Sequence, residues 1–348
     1  MRYETVLQTV GNTPLVNLQR LFDDVDFEVF GKLEGLNPGG SSKDRPAKQI
    51  IQKALMEGRI QAGSTVIESS SGNMAIGLAQ ASILYGLKLV CVVDAKTSAQ
   101  NLRILKAYGA EIEYVAEPDA LTGEFLPARI DRVHRLMKQI PGSYWPNQYG
   151  NLTNSRTHLT STIPEIFEAV EQLDFLFCAS STCGTVRGAV DYVQEQGLET
   201  KVIAVDAMGS VIFGGEKGPR LLPGMGAGLR PPLCPVERVD GVVQVSDLES
   251  VVGCRQLLRR EAIFCGASSG GAISAVRKMA EAIPSGSRCA AILPDRGERY
   301  LETVFDDQWV RDQFGTLELE GPQPLSSFRL PPVEPAATEG PLAAKASA

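Results

Sequence analysis

The chain has 348 residues, 43% hydrophobic and 22% charged, with a net charge of -7 and a pI near 5.2. That length suits one large domain or two ordinary ones, and an acidic balance without a basic stripe excludes nucleic acid as the main partner. No apolar run reaches membrane-spanning length and the start, Met1-Arg2-Tyr3-Glu4, lacks a signal-peptide core, so the expectation is a cytoplasmic protein with no membrane partner.

Seven cysteines at 91, 178, 183, 234, 254, 265 and 289 form no Cys-x-x-Cys pair. They imply neither a disulfide framework nor a zinc site. His134 and His158 are the only histidines, which leaves little for a metal site or a Ser-His-Asp triad. No metal is expected.

In chain order, 12–17 reads as a turn into a short strand, and 27–33 as an extended run. That run enters Asn37-Pro38-Gly39-Gly40-Ser41-Ser42-Lys43, a turn followed by a helix through Ile50, Ile51, Ala54 and Leu55. Ser41 and Ser42 are the expected N-cap, and Pro46 must lie in the first turn. Lys43 then stands at a helix start, where free N–H groups disfavour an ammonium and favour a neutral, nucleophilic amine.

Strand 64–68 runs into Ser69-Ser70-Ser71-Gly72-Asn73 and a helix through Ile83. Strand 87–93, helix 98–108, strand 111–115 and helix 123–140 follow, an alternation that predicts right-handed βαβ units and a parallel sheet. The rhythm breaks at Tyr144-Trp145-Pro146-Asn147-Gln148-Tyr149. A second α/β series follows: helix 156–172, strand 174–179, helix 185–196, strand 201–206, a Gly/Pro-rich loop over 209–236, strand 242–245, helices 247–260 and 269–283, and strand 288–293. The domain organisation expected is a large domain of 1–40 and 148–325, a smaller mobile one of 41–147, and a disordered tail of 326–348.

Ligands of open α/β sheets bind where strands feed helices. Four Ser/Gly-rich turns lie there. The first holds Lys43. Ser69–Asn73 offers hydroxyls and N–H groups suited to a carboxylate, or an ordinary N-cap. Ser181-Thr182-Cys183-Gly184-Thr185 suits one compact phosphate, or again a cap, and is neither a Walker loop nor a dinucleotide fingerprint. Gly266-Ala267-Ser268-Ser269-Gly270 offers one hydroxyl to a ring nitrogen, or caps its helix. An amine nucleophile, a single-phosphate cup, a carboxylate cradle and a lone hydroxyl together describe a pyridoxal 5'-phosphate site.

Asn37–Arg45, Ser70–Asn73, Ser181–Thr185 and Gly266–Gly270 resemble, in that order, the motifs of the cysteine synthase family of fold-type II pyridoxal phosphate enzymes. Gly11-Asn12-Thr13-Pro14-Leu15 and Gly224-Met225-Gly226-Ala227-Gly228 are similar to theirs too. The resemblance covers roughly residues 5–310 and implies two parallel-sheet domains of the tryptophan synthase β-like fold, small amino-acid substrates and, with the apolar helix faces, a homodimer. It implies that Lys43 holds the cofactor and moves protons at the substrate Cα. Asn73 would bond the ring oxygen, Ser181, Thr182, Cys183, Gly184 and Thr185 the phosphate, and Ser268 the ring nitrogen. Ser70, Ser71, Gly72 and Gln148 would bind the substrate carboxylate. A neutral serine at the ring nitrogen weakens the electron sink and suits β-elimination rather than transamination.

The chain departs from the cysteine synthase pattern at Ser181-Thr-Cys-Gly-Thr185, where that branch has Gly-Thr-Gly-Gly-Thr, and at Met74, where it has threonine. Lys43–Lys48, Tyr144–Tyr149 and Gly123–Val133 look more like the branch that joins O-phosphoserine to glutamate, supplying 2,3-diaminopropionate for siderophores and peptide antibiotics. That likeness makes Arg129 and Tyr149 candidates for glutamate. The competing readings are a cysteine synthase using O-acetylserine or O-phosphoserine with sulfide, and a scaffold protein that carries the cofactor without catalysis.

Overall fold

The computed structural model of the chain describes residues 2–315. The expected tail of 326–348 lies outside the described residues. Nine strands form two sheets among those residues. The smaller sheet is continuous in sequence: β3 (Thr65–Glu68), β4 (Lys88–Asp94) and β5 (Glu111–Val115), all parallel. Its crossovers are α2 (Asn73–Leu84) and α3 (Ala99–Ala107). Tyr144 bridges Val66 in parallel, so the break in rhythm at Tyr144 extends this sheet beyond β3. α1 (Asp44–Met56) packs on α2, and α4 (Phe125–Gln139) turns Val133 and Leu136 inward.

The six-stranded sheet gathers distant segments. It takes β1 (Leu15–Asn17), β2 (Glu28–Leu33), β6 (Phe175–Ala179), β7 (Lys201–Ala207), β8 (Gly241–Val245) and β9 (Arg288–Leu293) in the order β1-β2-β9-β6-β7-β8. β1 is antiparallel to β2 and the other pairings are parallel. The central strands are buried on both faces, which is why Leu176-Phe177-Cys178 and Ala290-Ala291-Ile292 read as unbroken apolar runs. α7 (Gly184–Gln196), α8 (Asp247–Glu261) and α9 (Ala267–Lys278) cover the sheet, with α10 (Asp307–Phe314) beyond β9.

Two helices differ from the sequence expectation. The helix placed at 156–172 begins earlier, as α5 (Leu152–Thr157), because the Asn151 side chain caps Thr153 N at 3.0 Å. It widens into one π turn at His158–Thr162, resumes as α6 (Ile163–Ala169), and stops at Val170 in extended backbone. The helix placed at 269–283 starts at Ala267 and ends at Lys278, since Gly266 is its N-cap and short turns continue through Ile283.

Candidate active site

Lys43 itself, not Ser41 or Ser42, is the N-cap of α1, and no side chain caps the helix there. Ser41 Oγ instead accepts from Lys43 N at 3.3 Å. Pro46 lies in the first turn, as expected. The turn is stapled to the exit of β9: Ser42 N donates to Pro294 O at 2.8 Å, Arg296 N to Gly40 O at 3.2 Å, and Ser41 bridges Asp295. Lys43 is half-buried because its side chain lines a cavity rather than the solvent. Its Nζ has no hydrogen-bond or ion-pair partner among the described residues. Burial lowers its pKa, with Asp295, Glu34 and Cys183 opposing. A partnerless amine pushed toward neutrality is a nucleophile and a base.

The same cavity is lined by Ser181–Thr185, Gly224 and Pro294. α7 starts at Gly184, whose N donates to Thr182 Oγ1 at 3.4 Å, while the next N–H groups of the first turn, at Thr185 and Val186, have no partner inside the helix. Cys183, buried, has φ 63°, a left-handed conformation that costs a non-glycine residue about 1–2 kcal/mol. Asn154 stands behind the turn, its Nδ2 donating to Gln148 O at 2.8 Å and Thr182 Oγ1 at 3.2 Å. A Cβ on Gly184 would come within 2.2 Å of Asn154 Oδ1, so glycine is required there. Thr185 Oγ1 lies 3.3 Å from His158 Nε2, and Thr162 Oγ1 lies 2.9 Å from His158 Nδ1. Burial holds this histidine well below its usual pKa, aided by Lys43 and Arg45. The π turn thus places a neutral imidazole behind the turn's last hydroxyl.

The loop 209–236 joins the same wall: Gly226 N donates to Ser180 O at 2.7 Å. Gly224, at φ +99°, opens on Ser268, where an added Cβ would lie 3.6 Å from Ser268 Oγ. Ser268 is buried. Asn73 begins α2, and its Nδ2 donates to Asp295 Oδ2 at 2.7 Å.

The Ser69–Asn73 turn lies at the end of β3. Ser69 N, Trp145 Nε1 and Gln148 N all donate to the Glu68 carboxylate, at 2.7, 3.0 and 3.2 Å. Gln148 Nε2 reaches Ser69 O at 3.3 Å. Burial raises Glu68 to about 7 against those three bonds and Arg129. Arg129 and Tyr149, twenty residues apart, meet beside this turn: burial raises the Tyr149 phenol, and the Arg129 charge opposes that shift. Arg129 Nε lies 3.3 Å from Asp94 Oδ2, with its side chain 13% exposed. It is therefore not a solvated helix arginine.

Beneath Lys43 lies a charged lattice that sequence reasoning missed. Arg45 forks onto Glu34, at 2.7 Å through both Nε and a terminal nitrogen, and reaches Glu165 at 2.6 and 2.7 Å. Lys32 Nζ donates to Glu165 at 2.7 Å and to Thr13 O at 2.6 Å. Two cations balance two carboxylates, so no buried charge is left unpaired. Its anchors in sequence are Arg45, two residues after Lys43, and Glu34 before the turn. Glu165, 120 residues on, carries no local signal.

A family model described as pyridoxal-phosphate dependent enzyme matches residues 6–295. The chain is 46% identical over 308 residues, covering 88% of this chain and 91% of the other, to an N-(2-amino-2-carboxyethyl)-L-glutamate synthase of Ralstonia nicotianae. Among solved structures, it is similar to an O-ureido-L-serine synthase, with a TM-score of 0.82 and 28% identity over 88% of this chain and 96% of that one. It is likewise similar to an O-acetylserine dependent cystathionine beta-synthase from Helicobacter pylori, with a TM-score of 0.80 and 31% identity over 87% and 98%.

Proposed function

The chain belongs to the pyridoxal-phosphate-dependent enzyme family, and from that premise we propose a β-replacement: O-phospho-L-serine and L-glutamate give N-(2-amino-2-carboxyethyl)-L-glutamate and phosphate. The observation that carries it is the partnerless Lys43 amine in one cavity with the Ser181–Thr185 turn. The residues fit pyridoxal phosphate. The open N–H groups of α7 suit a phosphate, and requiring glycine at 184 keeps side-chain bulk out of the turn.

Ser181, Thr182, Cys183, Gly184 and Thr185 hold the cofactor phosphate, Asn73 the ring oxygen and Ser268 the ring nitrogen. When bound, the cofactor supplies the electron-withdrawing ring that makes the substrate Cα acidic. Lys43 Nζ, favoured neutral, takes the proton from Cα and returns it once the new Cβ–N bond has formed. Between those transfers the phosphate leaves Cβ with the C–O bonding electrons, the glutamate amine attaches there, and the proton that the amine gives up goes to the departing phosphate. Ser70, Ser71, Gly72 and Gln148 hold the carboxylate of the first substrate. Arg129, with Tyr149 beside it, takes a carboxylate of glutamate. Asp94 holds that guanidinium in place rather than cancelling it, since one carboxylate leaves several of its five donors free.

The division into 1–40 with 148–325 and a mobile 41–147 goes with this reading, because a substrate touching both Ser70 and the Lys43 wall bridges both sheets. The protein acts as a cytoplasmic homodimer supplying 2,3-diaminopropionate for a siderophore or peptide antibiotic. No helix among the described residues is long and apolar enough to cross a membrane. The test is mass analysis of products from O-phosphoserine with an equimolar mixture of glutamate and sulfide. The glutamate adduct should dominate, whereas cysteine as the main product would overturn the proposal and install the cysteine synthase reading.

A further inference from the structure

Asp295 is two residues beyond β9, 2% exposed, and no motif of the sequence pointed to it. Its Oδ2 accepts from Asn73 Nδ2 at 2.7 Å and from Tyr300 OH at 2.9 Å. Its backbone is fixed independently: Gly266 N donates to Asp295 O at 3.1 Å, and Ser41 bridges the residue from the other side. Its Oδ1 has no hydrogen-bond partner among the described residues and sits where a Cβ on Gly266 would lie, 2.1 Å away. The carboxyl is thus wedged between the starts of α1, α2 and α9. At its other end, Asn73 Oδ1 accepts from Arg299, which also donates to Gly39 O.

An asparagine amide can flip, exchanging its donor and acceptor ends at little steric cost. Here it cannot flip. A guanidinium only donates, so it must face the oxygen whatever the charge on Asp295; burial raises the Asp295 carboxyl, Asn73, Arg299 and Tyr300 oppose that, and in its ionised form it only accepts and must face the NH2 group. A flipped Asn73 would set oxygen against carboxylate and NH2 against guanidinium. One Nδ2 hydrogen is used on Asp295, and the second remains free.

We propose that Asp295 is a positioning residue that, with Arg299, locks the Asn73 amide so that it presents an N–H, never a carbonyl, to the ring oxygen of the cofactor. The inference rests on the reading of the site given above and goes beyond it. In this role Asp295 acts through Asn73 rather than through a contact of its own with the cofactor. Both clamping residues lie on one turn, 295–299, so the six-stranded sheet dictates the donor that the three-stranded sheet offers. Gln100 Nε2, from α3, also donates to Glu298 O on that turn at 2.8 Å.

The test is a double-mutant cycle on the full-length protein, read by the dissociation constant for pyridoxal 5'-phosphate and by the visible absorption maximum. Asp295→Asn, isosteric but able to donate or accept, should weaken cofactor binding roughly tenfold, one charge-assisted hydrogen bond's worth, and move the maximum. In an Asn73→Ala background the same substitution should change affinity by less than about twofold and leave the maximum in place. Equal effects in both backgrounds, or no effect in either, overturn the proposal. Arg299→Gln, at a half-buried position, loosens the other end of the amide and should move the maximum in the same direction. If Asp295→Asn does not fold, an unchanged spectrum in Arg299→Gln overturns the proposal by itself. Failure of the site reading looks different: wild-type protein would not turn yellow with the cofactor, or Lys43→Ala would keep the wild-type absorption.

Discussion

Ser181–Thr185 and Ser69–Asn73 are nearly the same sentence in sequence: an apolar strand, hydroxyls, a glycine and a helix. The structure treats them in opposite ways. The first is finished. Asn154 pins it from behind, Cys183 takes a strained left-handed turn, and Gly184 has no room for a side chain. The second is left open. Among the described residues, Ser69 Oγ has no partner and a Cβ on Gly72 would meet nothing within 4 Å, and Ser71 and Gly72 are half-exposed. That contrast is what the proposed roles require: a turn that keeps one permanent guest is built to a fixed shape, whereas one proposed to admit and release substrate keeps slack in its walls.

The largest effect expected is at the group facing the finished turn. Lys43→Ala should lower turnover by more than about a thousandfold and abolish the wild-type visible absorption, since the variant removes both anchor and base. Measurable activity near wild type would take Lys43 out of the chemistry. Next comes the contrast itself. Gly184→Ala should weaken pyridoxal phosphate binding by more than about tenfold, because relieving the clash breaks the Asn154 bonds. Gly72→Ala should stay within about threefold of wild type. Equal losses in an equilibrium titration would erase the distinction between the two turns.

A third effect separates the halves by pH. Burial would raise the Glu165 carboxyl, but Arg45 and Lys32 prevail and hold it at about 2. A lowered carboxyl stabilises the fold above its usual 4.5, and that stability is lost as pH falls toward about 2. Glu68 is raised to about 7, so its contribution runs the other way: present below 4.5 and lost as pH rises to about 7. Each is worth at most about 3 kcal/mol. In denaturant titrations, Glu165→Gln should flatten the acid limb of stability against pH, and Glu68→Gln the limb between about 5 and 7. The same limb changing in both variants would contradict these assignments.

The narrowest effect, confined to one of the two proposed substrates, is at Arg129. Arg129→Ala should cut use of glutamate by roughly ten- to a hundredfold, the loss of a bidentate carboxylate contact. Phosphate release from O-phosphoserine should change much less. The substitution also strips Asp94 of its cation, so Asp94→Asn is the control. If that control loses glutamate use equally and Arg129→Ala adds nothing to it, the pair is structural.

Much of this site was legible because its chemistry lies in strand-to-helix turns, where local residue types say what the backbone offers. Lys43, Asn73, Ser181–Thr185 and Ser268 all have such signals. Arg129 and Tyr149 came from likeness to a branch of the family, and the structure places them together. The missed residues hold those groups from behind. Asn154, His158, Glu165 and Asp295 touch partners many residues away in the chain, and nothing local announces such a contact. Asp295 had one available clue, a carboxyl directly after a buried strand. The π turn was invisible for a related reason: a single widened turn leaves the helical period on either side intact.

The position of β9 between β2 and β6 bears on how the chain is born. The three-stranded sheet spans 65–115 and can zip up from local contacts as it leaves the ribosome. The six-stranded sheet cannot: until residues 288–293 are made, β2 and β6 face each other across a vacant slot, with open strand edges that invite aggregation. The amides of Val90–Val93 should therefore gain protection before those of Ala290–Leu293 in pulse-labelled hydrogen exchange during refolding, and simultaneous protection would show one cooperative nucleus instead. The half that arrives early carries the proposed substrate turn, and the strand that brings Asp295 arrives among the last.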